Sequence, residues 1–118
     1  METGVNTYVD RASFANKMLD KYYPNSPNTI VSDIGSGYGH MKDKVESLGA
    51  YWQPFDFYKK MKVSIEWNLN NSVPKDTNNA GIAIFLEVLE HLPNPLLSLQ
   101  NIANHIESEG YLILTTPN

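Results

Sequence analysis

Apolar positions along this chain follow two periods, one typical of amphipathic helices and the other of buried strands. In the first part, apolar residues recur every three or four positions up to Pro24, which predicts a helix followed by a short linker. The apolar face of that helix comprises Tyr8, Ala12, Ala15, Leu19 and Tyr22. We therefore expect residues 1–28 to precede the main domain as an N-terminal helix and linker.

From residue 29 onward, short apolar runs alternate with helical patterns and polar loops. The runs at 30–34, 50–55, 63–67, 82–86 and 111–115 are predicted to be strands. One helix is predicted around Met41, Val45 and Leu48. Another begins at Asn94 and Pro95, with an apolar stripe of Leu96, Leu99, Ile102, Ala103 and Ile106. Strands separated by helices imply a single α/β domain over 29–118, with a Rossmann-like parallel sheet and helices on both faces.

The turn after the first predicted strand carries three alternating glycines, Gly35, Gly37 and Gly39. Glycine lacks a Cβ, so such a turn can adopt unusual dihedral angles and let a ligand approach the backbone closely. The spacing differs from the G-x-G-x-x-G of dinucleotide sites, and no Gly-Lys-Ser/Thr follows to hold a triphosphate. The turn indicates either a nucleotide-like cofactor held without a phosphate cradle or a tight turn that binds no ligand.

An acidic residue, Asp56, follows the second predicted strand, roughly 20 residues beyond the glycines. In a βαβ unit, this is the position of the carboxylate that binds the two hydroxyls of a ribose. The other interpretation is that Asp56 only begins a turn. The spacing favours ribose binding.

In combination, these features resemble the class I S-adenosylmethionine (SAM) dependent methyltransferases. The run from Asp33 to Gly39 resembles the first motif of that family, and Asp56 resembles its ribose-binding acid. The segment 86–95 resembles the region after the family's fourth strand, and 115–118 resembles the end of its fifth strand. The resemblance implies a SAM-binding fold over about residues 29–118.

The resemblance also assigns contacts to the methionine and ribose parts of the cofactor. Gly35, Ser36 and Gly37 would bring backbone groups to the methionine part of SAM. Asp33 would order the turn or contact the amino group of the cofactor, and Asp56 would bind the ribose.

Asn68 and Leu69 fall where the family has an acid and an apolar residue beside the adenine. Asn68 is therefore a departure from the family pattern, although its amide oxygen can still accept the hydrogen bond of the adenine amine. It is alternatively an ordinary loop residue. Leu86 would pack near the methionine moiety, or belong to the core.

The signature Glu87-x-x-Glu90-His91 is similar to that of small-molecule O-methyltransferases of the ubiquinone-pathway type. On a short helix, these three side chains share one face. Such a group could bind Mg²⁺, which would lower the pKa of a substrate hydroxyl. Alternatively, His91 acts with Glu90 as a base or substrate-orienting group, or one glutamate only caps the helix.

Composition argues against several other classes of protein. The net charge is −4, and the densest basic cluster, Lys59, Lys60 and Lys62, is short, which argues against a nucleic-acid surface. The chain has no cysteine, so disulfides and zinc–thiolate sites are excluded. No apolar run approaches the ~20 residues of a membrane span, and the first residues lack signal-peptide features. We expect a cytoplasmic protein.

Two functional classes are compatible with these features. The first is a SAM-dependent methyltransferase acting on a small-molecule O- or N-nucleophile, where the protein mainly holds the acceptor in line with the methyl group. The second is a SAM-binding module, or a partner-dependent relative, without activity of its own. The family's sheet usually has seven strands, and this chain is truncated after the fifth, without the C-terminal strands. We expect self-association or a partner chain at the fifth-strand edge, or the weak stability of a fragment.

Overall fold

The computed structural model describes residues 7–86 and 92–115, with side chains from residue 11 onward. In this part of the chain, the helices and strands follow one another in the predicted order, and the second, third and fourth strands are joined by irregular segments. The helices are α1 (Thr7–Tyr22), α2 (Lys42–Ser47) and α3 (Pro95–His105). The strands are β1 (Ile30–Ile34), β2 (Tyr51–Asp56), β3 (Ile65–Glu66), β4 (Ala80–Phe85) and β5 (Ile106–Leu114).

The five strands form one parallel sheet in the order β3-β2-β1-β4-β5. This order confirms the predicted α/β fold. β1 lies at the centre, where Val31 pairs with Trp52 of β2 on one side and with Ile82 of β4 on the other. After β1, the chain therefore adds β2 and β3 on one side of it and then returns to add β4 and β5 on the other side. The crevice at the carboxyl ends of such strands is the usual ligand site of open α/β sheets.

Alternating side chains of the central strands pack on opposite faces of the sheet. On one face, Val31 packs with Leu19 of α1 and Val45 of α2. On the other face, Phe55 and Phe85 pack with Ile102 of α3 and other apolar residues. Helices cover both faces, as the alternating pattern predicted.

The start of α3 follows the predicted capping, but its buried face differs from the prediction. Asn94 Oδ1 accepts a hydrogen bond from the Leu97 N–H at 3.2 Å, and Pro95 occupies the first turn. The buried residues of α3 are Ser98, Ile102 and His105. Leu96 is 68% exposed and Ala103 is exposed, so these two members of the predicted apolar stripe do not face the core. The face of α3 that carries His105 is turned toward the sheet, where His105 shares a hydrogen bond with Ser32 of β1.

β5 begins earlier than predicted, directly after α3. Ile106 is therefore a strand residue paired with Ala80, and does not extend the helix stripe. The register shifts before Tyr111, where Glu109 has a φ of 68°. A Cβ on Gly110 would lie 2.7 Å from the Gly81 carbonyl oxygen, so glycine is required at this register shift between β4 and β5.

Candidate functional site

A cleft with a volume of about 220 Å³ opens at the carboxyl ends of the central strands. Its walls come from the ends of β1, β2 and β4, from the segment after β2, and from residues near β3 and α3. The lining residues are Ile34, Gly35, Phe55, Asp56, Phe57, Tyr58, Lys60, Trp67, Leu69, Phe85 and Leu92. The predicted residues Gly35, Asp56 and Leu69 thus meet in one place.

The glycine turn after β1 has a backbone that favours glycine at three positions. Gly35, Gly37 and Gly39 have φ values of 80°, 56° and 85°. The amides of Gly35 and Ser36 both donate to the Phe55 carbonyl oxygen at 2.9 Å, and the Gly39 amide donates to the Ser36 carbonyl at 2.9 Å. These amides are used to fix the turn against β2. They are therefore not arranged as a cradle for phosphate.

Asp56 ends β2 as a buried carboxylate fixed by two backbone amides. Its Oδ2 accepts from the Gly37 N–H at 2.8 Å, and its Oδ1 accepts from the Phe57 N–H at 2.8 Å. The residue is only 6% exposed, yet it lines the cleft. Each carboxylate oxygen can accept two hydrogen bonds. The two amides fix the orientation of the carboxylate and leave each oxygen able to accept one hydroxyl.

Lys60 lies beside this carboxylate, a contact that the sequence analysis missed. Its Nζ is 3.6 Å from Asp56 Oδ2, and its side chain is partly exposed. Such a partly exposed ion pair contributes about 0 to 1 kcal/mol, so a ligand that displaces it loses little. No local signal predicted this contact, since a spacing of four residues brings side chains together on a helix and the segment after β2 is not helical. The sequence analysis treated Lys60 only as part of the short basic cluster with Lys59 and Lys62.

Asp33 is buried near the end of β1, on the face that packs against α1 and α2. The indole Nε1–H of Trp52 donates to its Oδ2 at 2.9 Å. Burial, and to a lesser extent the negative charge of Asp56, raise the pKa of Asp33 from 3.8 to a net value of about 6. The Trp52 hydrogen bond and His40 act in the opposite direction. The ionised form of Asp33 is therefore destabilised by its surroundings, and a nearby cation would stabilise it.

The side of the cleft facing β3 and α3 is mainly apolar. Trp67 and Leu69 are buried there, and Trp67 lies edge-on to Phe55 with ring centroids 5.0 Å apart. At the rim, Phe57 and Tyr58 stack with centroids 5.1 Å apart and remain exposed. A flat aromatic ring of a ligand would find apolar surface on this side.

The other predicted contacts vary in position. Asn68 is exposed, and its Oδ1 accepts from the Asn70 N–H at 3.0 Å, so this oxygen already has a partner. Leu86 packs with the α1 and α2 side of the core, and its carbonyl accepts from Arg11 Nη1 at 3.2 Å. Ser36 is buried, and within the described residues its Oγ has no hydrogen-bond partner. A buried hydroxyl of this kind is suited to a polar ligand.

A second feature missed by the sequence analysis is a buried polar network behind the cleft. The Ser32 hydroxyl and His105 Nε2 share a hydrogen bond of 2.7 Å, and Gln53 Nε2 donates to the same hydroxyl at 3.0 Å. The His105 ring lies 5.3 Å from both Phe55 and Trp67, edge-on to each. Burial lowers the pKa of His105, which favours the neutral imidazole. The network therefore supports two aromatic walls of the cleft from behind.

The acidic and histidine signature lies outside the described residues. Nothing in the structure therefore bears on Glu87, Glu90 or His91, as catalytic groups or as metal ligands. Among residues 7–86 and 92–115, no three His, Cys, Asp or Glu side chains are grouped closely enough to hold a metal ion. In the same part of the chain, no helix has both the length and the apolar character needed to cross a membrane.

Comparison with known proteins decides the family. The family described as "Methyltransferase domain" matches residues 8–118, which is nearly the whole chain. The chain belongs to this methyltransferase family. The membership accounts for the strand order and the glycine turn, and it implies SAM as the cofactor.

The chain is also similar to a ubiquinone biosynthesis O-methyltransferase from Glaesserella parasuis serovar 5 (strain SH0165). The two are 27% identical, and the match covers 75% of this chain and 45% of the relative. The chain thus spans about half the length of the curated relative it matches. That similarity supports the methyltransferase assignment.

Proposed function

We propose that this chain binds SAM and its demethylated product in the cleft and transfers the methyl group to a small-molecule acceptor. The observation that carries the proposal is the Asp56 carboxylate, buried, fixed by two amides and lining the cleft. A vicinal diol can donate one hydrogen bond to each of its oxygens. The engaged amides of the glycine turn argue against a phosphate ligand such as ATP or NAD.

The remaining groups fit the other parts of SAM. The adenine fits the apolar side near Trp67 and Leu69. The cationic amino group would pair with the carboxylate of Asp33, which is buried two residues before Gly35, a residue that lines the cleft. When bound, SAM supplies a methyl group on a sulfonium that is already a good leaving group. The protein then has to hold the acceptor in line with that methyl and let the acceptor's proton leave.

Calorimetric titration tests the cofactor proposal. Asp56→Ala should weaken SAM binding by about 1 to 3 kcal/mol, because it removes charge-assisted hydrogen bonds to the ribose. Asp20→Ala is the matched control, since Asp20 is an exposed acid on α1 that does not line the cleft. Equal affinity of the wild type for NAD and SAM, or an indifferent Asp56→Ala variant, would contradict the proposal.

For the acceptor, the similarity to an O-methyltransferase of ubiquinone biosynthesis supports a small molecule with a hydroxyl group. We propose His91, with Glu90, as the group that accepts the acceptor's proton or orients the acceptor. His91→Ala should then lower methyl transfer from labelled SAM far more than it lowers SAM binding. Full turnover by His91→Ala would exclude this role, and SAM binding without turnover by the wild type would favour a binding module.

A divalent cation held by Glu87, Glu90 and His91 is the alternative role for this group. It predicts that added Mg²⁺ raises methyl transfer and that a chelator abolishes it. Activity that is indifferent to both would exclude the metal and leave the base. The family membership does not by itself support Mg²⁺.

A further inference from the structure

Trp52 of β2 is a buried residue that donates a hydrogen bond to Asp33, a predicted cofactor contact. Its ring packs in the same core cluster as Val31 and Val45, and it is 6% exposed. A buried tryptophan usually finds an acceptor for its N–H, and a backbone carbonyl is sufficient for that. Trp67 has such an arrangement, since its Nε1–H donates to the Asn71 carbonyl at 3.0 Å. Trp52 instead donates to the side chain of Asp33.

The position of this hydrogen bond gives it a functional meaning. Asp33 is followed within two residues by the glycine turn, and Trp52 is held in register beside it because Val31 pairs with Trp52 across β1 and β2. The indole is rigid and buried in the core, so it fixes the Asp33 carboxylate more firmly than a mobile side chain would. Fixed orientation of this kind is what a binding site requires of its charged groups.

On the basis of the SAM site proposed above, we propose that Trp52 is a positioning residue. Its indole N–H holds the Asp33 carboxylate beneath the glycine turn, in the orientation that receives the cationic amino group of the cofactor.

The charges around Asp33 make this hydrogen bond important for the ionised form. Burial and the negative charge of Asp56 both favour the protonated acid, whereas the indole N–H and His40 favour the carboxylate. Loss of the indole donor would therefore raise the pKa of Asp33 above its present value of about 6. A protonated Asp33 carries no charge to pair with an ammonium group, so cofactor binding would weaken most at low pH.

Trp52→Phe tests the inference, because phenylalanine keeps an aromatic ring in the core and removes only the N–H donor. Two ligands separate positioning from general structural damage. S-adenosylhomocysteine carries the amino acid end, whereas 5′-methylthioadenosine lacks it and keeps the ribose and adenine. Calorimetry should show a roughly tenfold loss of affinity for the first ligand and little change for the second. The loss should be larger near pH 6 than near pH 8.

Equal losses for both ligands would show that Trp52 has only a structural role and would overturn the inference. No loss for either ligand would overturn it as well, while leaving the SAM proposal intact. A wild type that binds neither ligand would overturn the SAM proposal itself, and the inference with it.

A second measurement uses the wild-type chain, in case Trp52→Phe fails to fold. The two indole N–H resonances can be assigned by nuclear magnetic resonance with the Trp67→Phe variant. The Trp52 resonance should move as Asp33 titrates and move again when S-adenosylhomocysteine binds. A Trp52 resonance that responds to neither would overturn the inference.

Discussion

At the scale of single residues, Asp33 and His105 give the stability of the protein opposite dependences on pH. The pKa of Asp33 is raised from 3.8 to about 6, so the folded chain keeps a proton that the unfolded chain has released. Its contribution to stability is therefore lost as pH rises through that window. Burial lowers the pKa of His105 from 6.5. The unfolded chain takes up that proton first, so stability is lost as pH falls below about 6.5.

Asp33→Asn should therefore stabilise the protein near pH 8. Asparagine keeps an acceptor for the Trp52 N–H and removes the buried charge. A pKa raised from 3.8 to about 6 corresponds to roughly 3 kcal/mol at most. Urea unfolding at about pH 8 should show a gain of about 1 to 3 kcal/mol, which shrinks near pH 4.5. The same variant should bind SAM poorly.

Asp20→Asn provides the control for this change, because Asp20 is exposed and loses the same charge. It should leave the pH dependence of unfolding nearly unchanged. If Asp33→Asn were less stable than the wild type at about pH 8, the buried charge would not be a cost to folding. A gain with retained SAM binding would separate Asp33 from the site.

At the scale of elements, the glycine turn and the segment between β2 and β3 meet at Gly39. A Cβ there would lie 3.3 Å from Met61 Sδ and 3.4 Å from Trp52 Cη2. Gly39→Ala should cost about 1 to 2 kcal/mol of stability for the left-handed backbone alone, and somewhat more because the new Cβ would press on Met61 and touch the edge of the Trp52 ring. It should also weaken SAM binding, since Trp52 holds Asp33.

Gly49→Ala is the matched control for backbone strain. Gly49 has a φ of 82°, and a Cβ there would meet nothing within 4 Å. Chemical denaturation and SAM titration of both variants separate the two effects. Identical losses of stability, with SAM affinity unchanged in both, would show that the contact with Trp52 carries no weight.

Features set by residues that are close together in the chain could be predicted from the sequence, whereas features set by distant contacts could not. The succession of helices and strands and the glycine turn followed from apolar periodicity and from residues adjacent in the chain. The buried face of α3 did not, because His105 is held by Ser32, which lies far away in the sequence. Trp52 was assigned to a strand, but nothing in the local pattern indicated that its N–H would bind Asp33. The contact of Lys60 with Asp56 was not predictable either, because the segment that joins them is not a helix.

At the scale of the whole molecule, β5 forms one edge of the sheet in the described residues. Tyr111 is 45% exposed there, and Phe14 of α1, which is 41% exposed, lines the same groove. An edge strand with exposed apolar residues favours pairing with another chain. Light scattering over a concentration series should show self-association that Tyr111→Lys reduces, because a charge at the edge opposes pairing.

Tyr51→Lys is the control for this test, since Tyr51 is 55% exposed at the start of β2 and away from that edge. It should leave association unchanged. A wild type that stays monomeric at high concentration would contradict the prediction.

The central place of β1 also bears on the order in which the molecule assembles. β1 meets β2 after a short connection, whereas pairing of Val31 with Ile82 closes a much longer loop and costs more chain entropy. The cleft is lined by Asp56 of β2 and Phe85 of β4, so it forms only when both strands have paired with β1. A ligand bound in the cleft would contact both β1 and β4 and so hold the two strands together. It would slow unfolding while leaving the earliest folding steps unchanged.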